Sequence, residues 1–261
     1  MLAPIAKMPD LIQLIERAGA VIMEHYQATT EVWEKDDRSP VTAADRAAEA
    51  VILAGLRELD PQIPIVAEEE VAAKGPPDIG DGPFWLVDPL DGTKEFLSRN
   101  GEFTVNIALI NDASPVLGIV YAPALDRYWW GVMGQGATRR DGDAVQTVQT
   151  RPWPAAGAIA VASRSHRDDK TNQWLAAQGI SDTKAAGSSL KLCLVATGEA
   201  DVYPRFGRTM EWDIAAGHAV LAAAGGTVTG ADGAPFTYGK QPVFENPPFI
   251  AWGDRTRAKI S

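Results

Sequence analysis

Apolar positions in the first sixty or so residues recur with a helical period. Leu11, Ile15, Ala18, Ile22 and Tyr26 follow one another at spacings of four and three, with Glu16, Arg17 and Glu24 on the other side. That is the pattern of a helix with one buried stripe. A second helix is predicted to start near Thr42, where Ala48, Ile52, Gly55 and Leu59 repeat the pattern. It ends at Asp60-Pro61, because the residue before a proline is pushed out of the helical region. The period then shortens. Residues 63–67, 84–87, 103–110, 116–121 and 128–132 are short apolar or β-branched runs separated by Pro, Gly, Asn and Asp, which predicts strands at hairpin spacing. Turns are expected at Asn111-Asp112-Ala113-Ser114 and Arg140-Asp141-Gly142-Asp143. Beyond Thr150 the periods alternate: strand 158–162, helices 168–178 and 189–197, strand 201–203, helix 211–224, and a last strand at Phe249-Ile250-Ala251-Trp252.

Two helices, a run of strands and then mixed α/β predict layered sheets and helices in two subdomains. The Arg151-Pro152-Trp153-Pro154 stretch places the boundary, giving residues 1–150 and 151–261. Composition is ordinary for a globular protein, 46% apolar and 22% charged. A chain of this size buries roughly three quarters of its unfolded surface and needs no disulfide or structural zinc to fold. The one cysteine, Cys193, excludes an intrachain disulfide and a multi-cysteine metal cluster. With 34 acids against 24 bases the net charge is −10, which argues against a nucleic-acid polymer as partner. A small anionic substrate stays compatible, since bound cations reverse the local sign. No apolar run approaches the roughly 18 residues of a spanning helix. Glu16 and Arg17 interrupt the N-terminal stretch, so it reads as a mature helix and not as a signal peptide. With the single thiol, this leads to the expectation of a cytoplasmic protein, with peripheral contact at the inner membrane left open.

Carboxylates collect where two apolar runs end. Ile65-Val66-Ala67 leads into Glu68-Glu69-Glu70, and Trp85-Leu86-Val87 into Asp88-Pro89-Leu90-Asp91-Gly92-Thr93. An acid at a strand's end is held rigidly and can project into a cleft. Hard divalent ions such as Mg²⁺ take oxygen ligands of this kind, together with water and substrate phosphate. Asp88 and Asp91 lie three residues apart across Pro89, a bend able to face both at one point; surface acids flanking a turn is an equal reading of that string by itself. Gly92-Thr93 opens a short predicted helix at 94–98, whose free N–H groups and hydroxyl would seat a phosphate. The plainer alternative is an Asp-Gly turn with Asp91 as cap. Asp45 lies three residues after Thr42, matching a capping box. Asp213 follows Trp212 at the start of the last long helix, where the dipole favours an acid.

Other candidates carry less. Gly131 to Gly136 has near-dinucleotide glycine spacing, but a hairpin turn over 139–143 follows it and no helix, so the Rossmann reading fails. Cys193 reads as packing on the inner face of a helix. His25, His166 and His218 share no metal spacing; His218 reads as a helix-face residue, the alternative being a place beside Asp213. Ser163-Arg164-Ser165-His166 lacks a nucleophile-elbow pattern, which argues against a serine hydrolase.

Four strings, in order and spanning nearly the whole chain, resemble the inositol monophosphatase superfamily of metal-dependent, lithium-sensitive phosphatases. They are Ser39-Pro40-Val41-Thr42-Ala43-Ala44-Asp45, Ala67-Glu68-Glu69, Asp88-Pro89-Leu90-Asp91-Gly92-Thr93 and Trp212-Asp213-Ile214-Ala215-Ala216-Gly217. The extended string Asp91-Gly92-Thr93-Lys94-Glu95-Phe96 has Glu95 where the inositol phosphatases usually carry Asn. It is similar to the 3'(2'),5'-bisphosphate nucleotidase branch (CysQ type), as are Gly187-Ser188-Ser189-Leu190-Lys191, Tyr203-Pro204-Arg205-Phe206-Gly207 and Ala215-Ala216-Gly217-His218-Ala219.

The resemblance implies a five-layer αβαβα sandwich and two or three Mg²⁺ ions. One ion would be held by Glu68, Asp88 and the carbonyl of Leu90, and a second by Asp88, Asp91 and Asp213. Glu68 is taken as the ligand in the run of three glutamates. Asp45 and Thr93 would orient the attacking water, while Gly92 and Thr93 seat the phosphate. Substrate contacts would extend over Glu68, Leu90, Asp91, Gly187, Ser188, Lys191, Arg205 and Asp213. The implied reaction is hydrolysis of the 3'-phosphate of adenosine 3',5'-bisphosphate to AMP, in a monomer or homodimer tied to sulfur assimilation. Lys191 and Arg205 would meet a second phosphate, with Phe206 and Trp212 as an aromatic wall; otherwise the two bases are ordinary surface residues. The alternatives are an inositol or sugar phosphatase of the same superfamily and a regulator that binds nucleotide or metal without turnover.

Overall fold

The computed structural model describes residues 4–28, 32–34, 40–163 and 168–258. Ser39 of the first matched string lies outside the described residues, as do Arg164, Ser165 and His166. Helix α1 (Met8–Gln27) buries Leu11, Ile15, Ala18 and Ile22, as its period requires. A short ribbon of β1 (Val32–Glu34) and β2 (Pro40–Thr42) leads into α2 (Ala43–Leu59), which Thr42 caps and which stops at Asp60, before Pro61. Next come β3 (Ile65–Ala67), α3 (Glu68–Lys74), β4 (Phe84–Asp91) and α4 (Thr93–Leu97). A meander of β5 (Thr104–Asn111), β6 (Ser114–Ala122), β7 (Arg127–Val132), β8 (Gly136–Asp141) and β9 (Ala144–Val148) follows. The rest of the chain holds β10 (Ile159–Ser163), α5 (Asp169–Ala177), β11 (Asp182–Ala186), α6 (Leu190–Ala196), β12 (Val202–Arg205), α7 (Glu211–Ala223), β13 (Thr227–Gly230) and β14 (Phe249–Trp252).

Strands β3 to β9 pair in chain order as a seven-stranded sheet, parallel only between β3 and β4. The smaller sheet runs β11-β10-β12-β14-β13, with β14 antiparallel to both neighbours. Alternation along the strands decides the layers, because successive side chains point to opposite faces. Trp85, Val87, Val105, Ile107 and Leu117 pack with α1 and α2 on one face of the large sheet. Leu86, Ala108, Ile110 and Val120 face the other way, into a core shared with α6, α7 and the inner residues Tyr203, Phe249 and Ala251 of the small sheet. Val202, Ile250 and Trp252 point outward and pack with Leu175 of α5. The result is the expected αβαβα order.

Helix α7 lies between the two sheets and is apolar nearly all round, with Trp212, Ile214 and every residue from Ala215 to Leu221 buried, as a helix enclosed on all sides must be. Two glycines in the sheet below let it sit flat. A Cβ at Gly118 would lie 2.5 Å from the Ala216 carbonyl oxygen, and one at Gly131 2.8 Å from that of Ala219. This close seating brings the N-terminus of α7, with Asp213, over the C-terminal end of β4.

Several elements depart from expectation. The glutamates 68–70, to which periodicity assigns no element, form the first turn of α3, a place where acids complement the helix dipole. The turn at 140–143 shrinks to Gly142-Asp143: Arg139, Arg140 and Asp141 are ladder residues of β8, and Gly142 supplies the positive φ of 53°. Strands β9 and β11 were absent from the periodicity because four of the five residues in each are exposed. An edge strand without a buried face carries no alternating signal. Among the described residues, no helix is long and apolar enough to cross a membrane.

Candidate active site

The C-terminal end of β4 is the floor of the site. In a regular strand, residues three apart face opposite sides. Here Asp88 pairs with Asn106 and Asp91 with Thr104, so Pro89 and Leu90 together oppose Val105 alone. Such a bulge re-aims a side chain, and it turns Asp88 and Asp91 to the same face, towards α7. Asp88 is buried, and one of its oxygens accepts the Leu90 N–H at 3.0 Å, which stiffens the bend. Glu68 begins α3 beside it, where β3 runs parallel to β4. Asp213 arrives from the N-terminal turn of α7, held by the Met210 N–H at 2.8 Å from its Oδ2. Oxygens of Glu68, Asp88 and Asp213 lie within 4.8 Å of one another.

Asp91 stands against this cluster, with Asn106 Nδ2 donating to its Oδ2 at 3.5 Å. Burial, then the charges of Glu95 and Glu68, push its carboxyl up to about 6, against the pull of Lys191. Burial, then the charges of Asp91 and Glu68, push that of Asp213 up to about 8. Acids crowded in this way resist ionising together. An all-oxygen donor set under such repulsion fits a hard divalent cation, and an ion there would restore the charged forms.

On the other side of β4, Asp45 is both a cap and a site residue. Its Oδ2 accepts from the Thr42 N–H at 2.8 Å and from Thr42 Oγ1 at 2.6 Å, the expected capping box. Its Oδ1 receives the Thr93 hydroxyl at 3.4 Å, so the structure brings Asp45 and Thr93 together. Gly92, the N-cap of α4, holds φ at 93°, and a Cβ there would lie 2.1 Å from Ser188 Oγ. Glycine is therefore required twice over, by φ and by space.

Gly187, Ser188, Lys191 and Arg205 approach from the second half of the chain. Lys191 is not the surface base of the plainer reading. It is 7% exposed, donates to the Ser188 carbonyl at 2.5 Å and lies 5.6 Å from the centre of the Tyr203 ring. Burial lowers its ammonium to about 8 despite the attraction of Asp91. Arg205 is half-buried at the end of β12, with one terminal nitrogen donating to the Arg208 carbonyl at 3.0 Å. Trp212 cannot serve as a stacking wall: it is buried in the core and packs on Phe244. Phe206 stays half-buried. His218 is a core residue whose Nδ1 is 2.9 Å from the Tyr238 hydroxyl, and burial lowers its imidazole to about 3. Cys193 is buried packing, as expected, and burial pushes its thiol up.

The structure adds residues that spacing did not reveal. Ser189 Oγ donates to the Asp213 carbonyl at 2.7 Å. Glu102 receives the Gly187 N–H at 2.9 Å. Glu49, one helical turn beyond Asp45, receives the Glu69 N–H at 2.7 Å and is pushed to about 7 by burial. Asn106 alone had a visible signal: a polar residue inside the apolar run of β5, which is buried and thus informative.

With this geometry in place, likeness to known proteins becomes specific. The sequence profile described as the Inositol monophosphatase family matches residues 6–256. The chain belongs to the inositol monophosphatase family. It is 47% identical over 244 residues to a 3'(2'),5'-bisphosphate nucleotidase CysQ of Salmonella typhimurium, covering 93% of this chain and 98% of that one. A protein of the same name from Escherichia coli K12 is 46% identical over 248 residues, with the same coverage. Among solved structures, CysQ from Bacteroides thetaiotaomicron, described as a bacterial member of the family, superposes with a TM-score of 0.81 at 37% identity, covering 98% of both chains. Members of this family are metal-dependent, and the chain carries an acidic cluster of oxygen donors that could hold a metal ion.

Proposed function

We propose that the chain is a 3'(2'),5'-bisphosphate nucleotidase, which removes the 3'-phosphate of adenosine 3',5'-bisphosphate to give AMP and phosphate with the help of two or three Mg²⁺ ions. The observation that carries this reading is near-full-length identity of 46–47% to proteins named for that activity, together with convergence of the acids at one point.

Glu68, Asp88 and the Leu90 carbonyl hold one ion in this reading, and Asp88, Asp91 and Asp213 a second. Bound divalent ions supply Lewis acidity to the attacking water and the leaving oxygen. The chain's own groups do the rest. N–H groups of Gly92 and Thr93, at the start of α4, receive the phosphate oxygens. Thr93 spends its hydroxyl proton on Asp45, which leaves its lone pairs to accept a hydrogen of the water and to point it at phosphorus. Asp45 stays in place because its other oxygen is already held by Thr42. Hydrolysis of the ester needs water in line with the leaving group and charge neutralised around phosphorus, and no covalent nucleophile is required.

Arg205 and Lys191 serve the remaining phosphate. Arg205 is the more accessible of the two, and among the described residues its Nε is buried with no hydrogen-bond partner, a donor that an anionic oxygen would satisfy. In this reading the enzyme is cytoplasmic and acts on a small phosphorylated nucleotide. Phosphate release from adenosine 3',5'-bisphosphate and from inositol 1-phosphate, each with Mg²⁺ and with EDTA, tests the proposal. A much higher kcat/KM on the bisphosphate, abolished by EDTA, is expected. Equal efficiency moves the chain to the inositol or sugar phosphatase branch, and no release at all makes it a binding protein.

A further inference from the structure

Two hydroxyls in the loop ahead of α6 tie down the backbone of two proposed metal ligands that come from opposite halves of the chain. Ser188 Oγ lies 2.7 Å from the Asp91 carbonyl oxygen and 2.8 Å from that of Glu102, and donates its one proton between them. The next residue, Ser189, donates to the Asp213 carbonyl at 2.7 Å. Asp91 ends a strand of the large sheet and Asp213 opens the helix between the sheets, so the serine pair spans the gap that an ion would bridge.

The loop itself is anchored on several sides. The Gly187 N–H donates to Glu102 Oε2 at 2.9 Å. Lys191 reaches back to the Ser188 carbonyl. Both serines are buried, and Ser188 holds a left-handed φ of 48°, a conformation that costs a non-glycine residue and persists only where surroundings fix it. There is no slack on the facing side either: a Cβ on Gly92 would meet Ser188 Oγ at 2.1 Å, and one on Gly187 would meet the Glu102 carbonyl oxygen at 2.6 Å.

We propose that Ser188 and Ser189 are positioning residues, a two-point latch that sets the spacing of Asp91 and Asp213 and thereby the affinity for the divalent cation these acids share. This role is separate from the substrate contact that the family resemblance implies for Ser188, and it rests on the metal-dependent phosphatase reading. Partners that orient metal ligands typically change metal affinity or activity by about 10–100-fold when removed.

The test uses the full chain and the variants Ser189→Ala and Ser188→Gly; glycine removes the hydroxyl and relieves the left-handed backbone in one step. Mn²⁺ titrated calorimetrically into the cation-free proteins reads affinity without turnover. Steady-state kinetics against Mg²⁺ then separate half-saturation from kcat. Expected are Mn²⁺ binding about tenfold or more weaker in both variants, a matching rise in the Mg²⁺ half-saturation point and, for Ser189→Ala, kcat restored close to wild type at saturating Mg²⁺. Ser189→Thr keeps a hydroxyl and should recover most of the affinity, and it stands in if the alanine variant fails to fold. Unchanged Mn²⁺ affinity in folded variants overturns the latch. So does a fall in the kcat of Ser189→Ala that excess Mg²⁺ leaves uncorrected, since that pattern marks substrate or water contacts. A wild-type protein that binds no Mn²⁺ and shows no Mg²⁺-dependent release refutes the phosphatase reading itself, an outcome distinct from either.

Discussion

Asp213→Asn should make the cation-free protein more stable while destroying its activity. Asn has the shape of Asp and keeps an oxygen to accept the Met210 N–H, so the cap of α7 survives. What disappears is one negative charge among three carboxylates whose oxygens lie within 4.8 Å. A pair of unit charges at that separation repels by about 3 kcal/mol at an effective dielectric constant near 20, and by about 1 kcal/mol in water. Relief from two neighbours is therefore on the order of a few kcal/mol.

Linkage fixes the direction with pH. Burial and neighbouring acids raise the folded carboxyl from 3.8 to about 8, so the folded state keeps a proton that the unfolded chain has released. Stability of the cation-free wild type then falls as pH rises through that window. The variant lacks this slope. Its advantage should be absent near pH 4, grow with pH and level off above about 8, where a few kcal/mol corresponds to a rise in Tm on the order of 5 °C or more for a chain of this length. Thermal melts in EDTA across that range read the effect. Added Mg²⁺ should invert the order, stabilising the wild type and not the variant, and phosphate release by the variant should drop by more than about 100-fold. An Asp213→Asn protein that melts at or below wild type at every pH in EDTA would refute the reasoning, because the acids would then not be repelling one another.

Three further outcomes follow from the same geometry. Thr93→Ala should lower kcat by about 10²–10⁴ with little change in KM, because in the proposed function the N–H that would seat phosphate stays and the hydroxyl that would orient water goes; an unchanged kcat with raised KM would make Thr93 a binding residue only. Gly92→Ala should cost activity and stability together, since a methyl would sit 2.1 Å from Ser188 Oγ at a φ of 93°; strain of this kind costs about 1–3 kcal/mol, read as a lowered Tm. Arg205→Ala should reduce kcat/KM on adenosine 3',5'-bisphosphate and leave inositol 1-phosphate nearly untouched, because a remote contact helps only substrates that reach it. Equal losses on both substrates would place Arg205 in the fold and not in recognition.

Periodicity in the sequence was enough to locate α1, α2, β4 to β7 and α7, because each buries a face or a whole surface and the buried positions must repeat at the element's own period. It passed over β9 and β11, whose residues are exposed along most of their length. Backbone pairing alone makes those strands, and pairing leaves no mark on side-chain polarity. Thr42 and Asp45 also announced their capping box, a contact three residues long. Contacts of that reach are written in spacing. The site behaved differently. Its acids could be named from their strings, yet nothing in Asp88-Pro89-Leu90-Asp91 shows that a bulge against Val105 turns both aspartates to one face. Nor does any local pattern show that Gly118 and Gly131 lower α7 far enough for Asp213 to close the cluster. The same packing turned Lys191 inward, placed Trp212 in the core and put a serine hydroxyl on the backbone carbonyls of Asp91 and Asp213. These are distances between elements far apart in the chain, and only the packing of two sheets on one shared helix layer decides them.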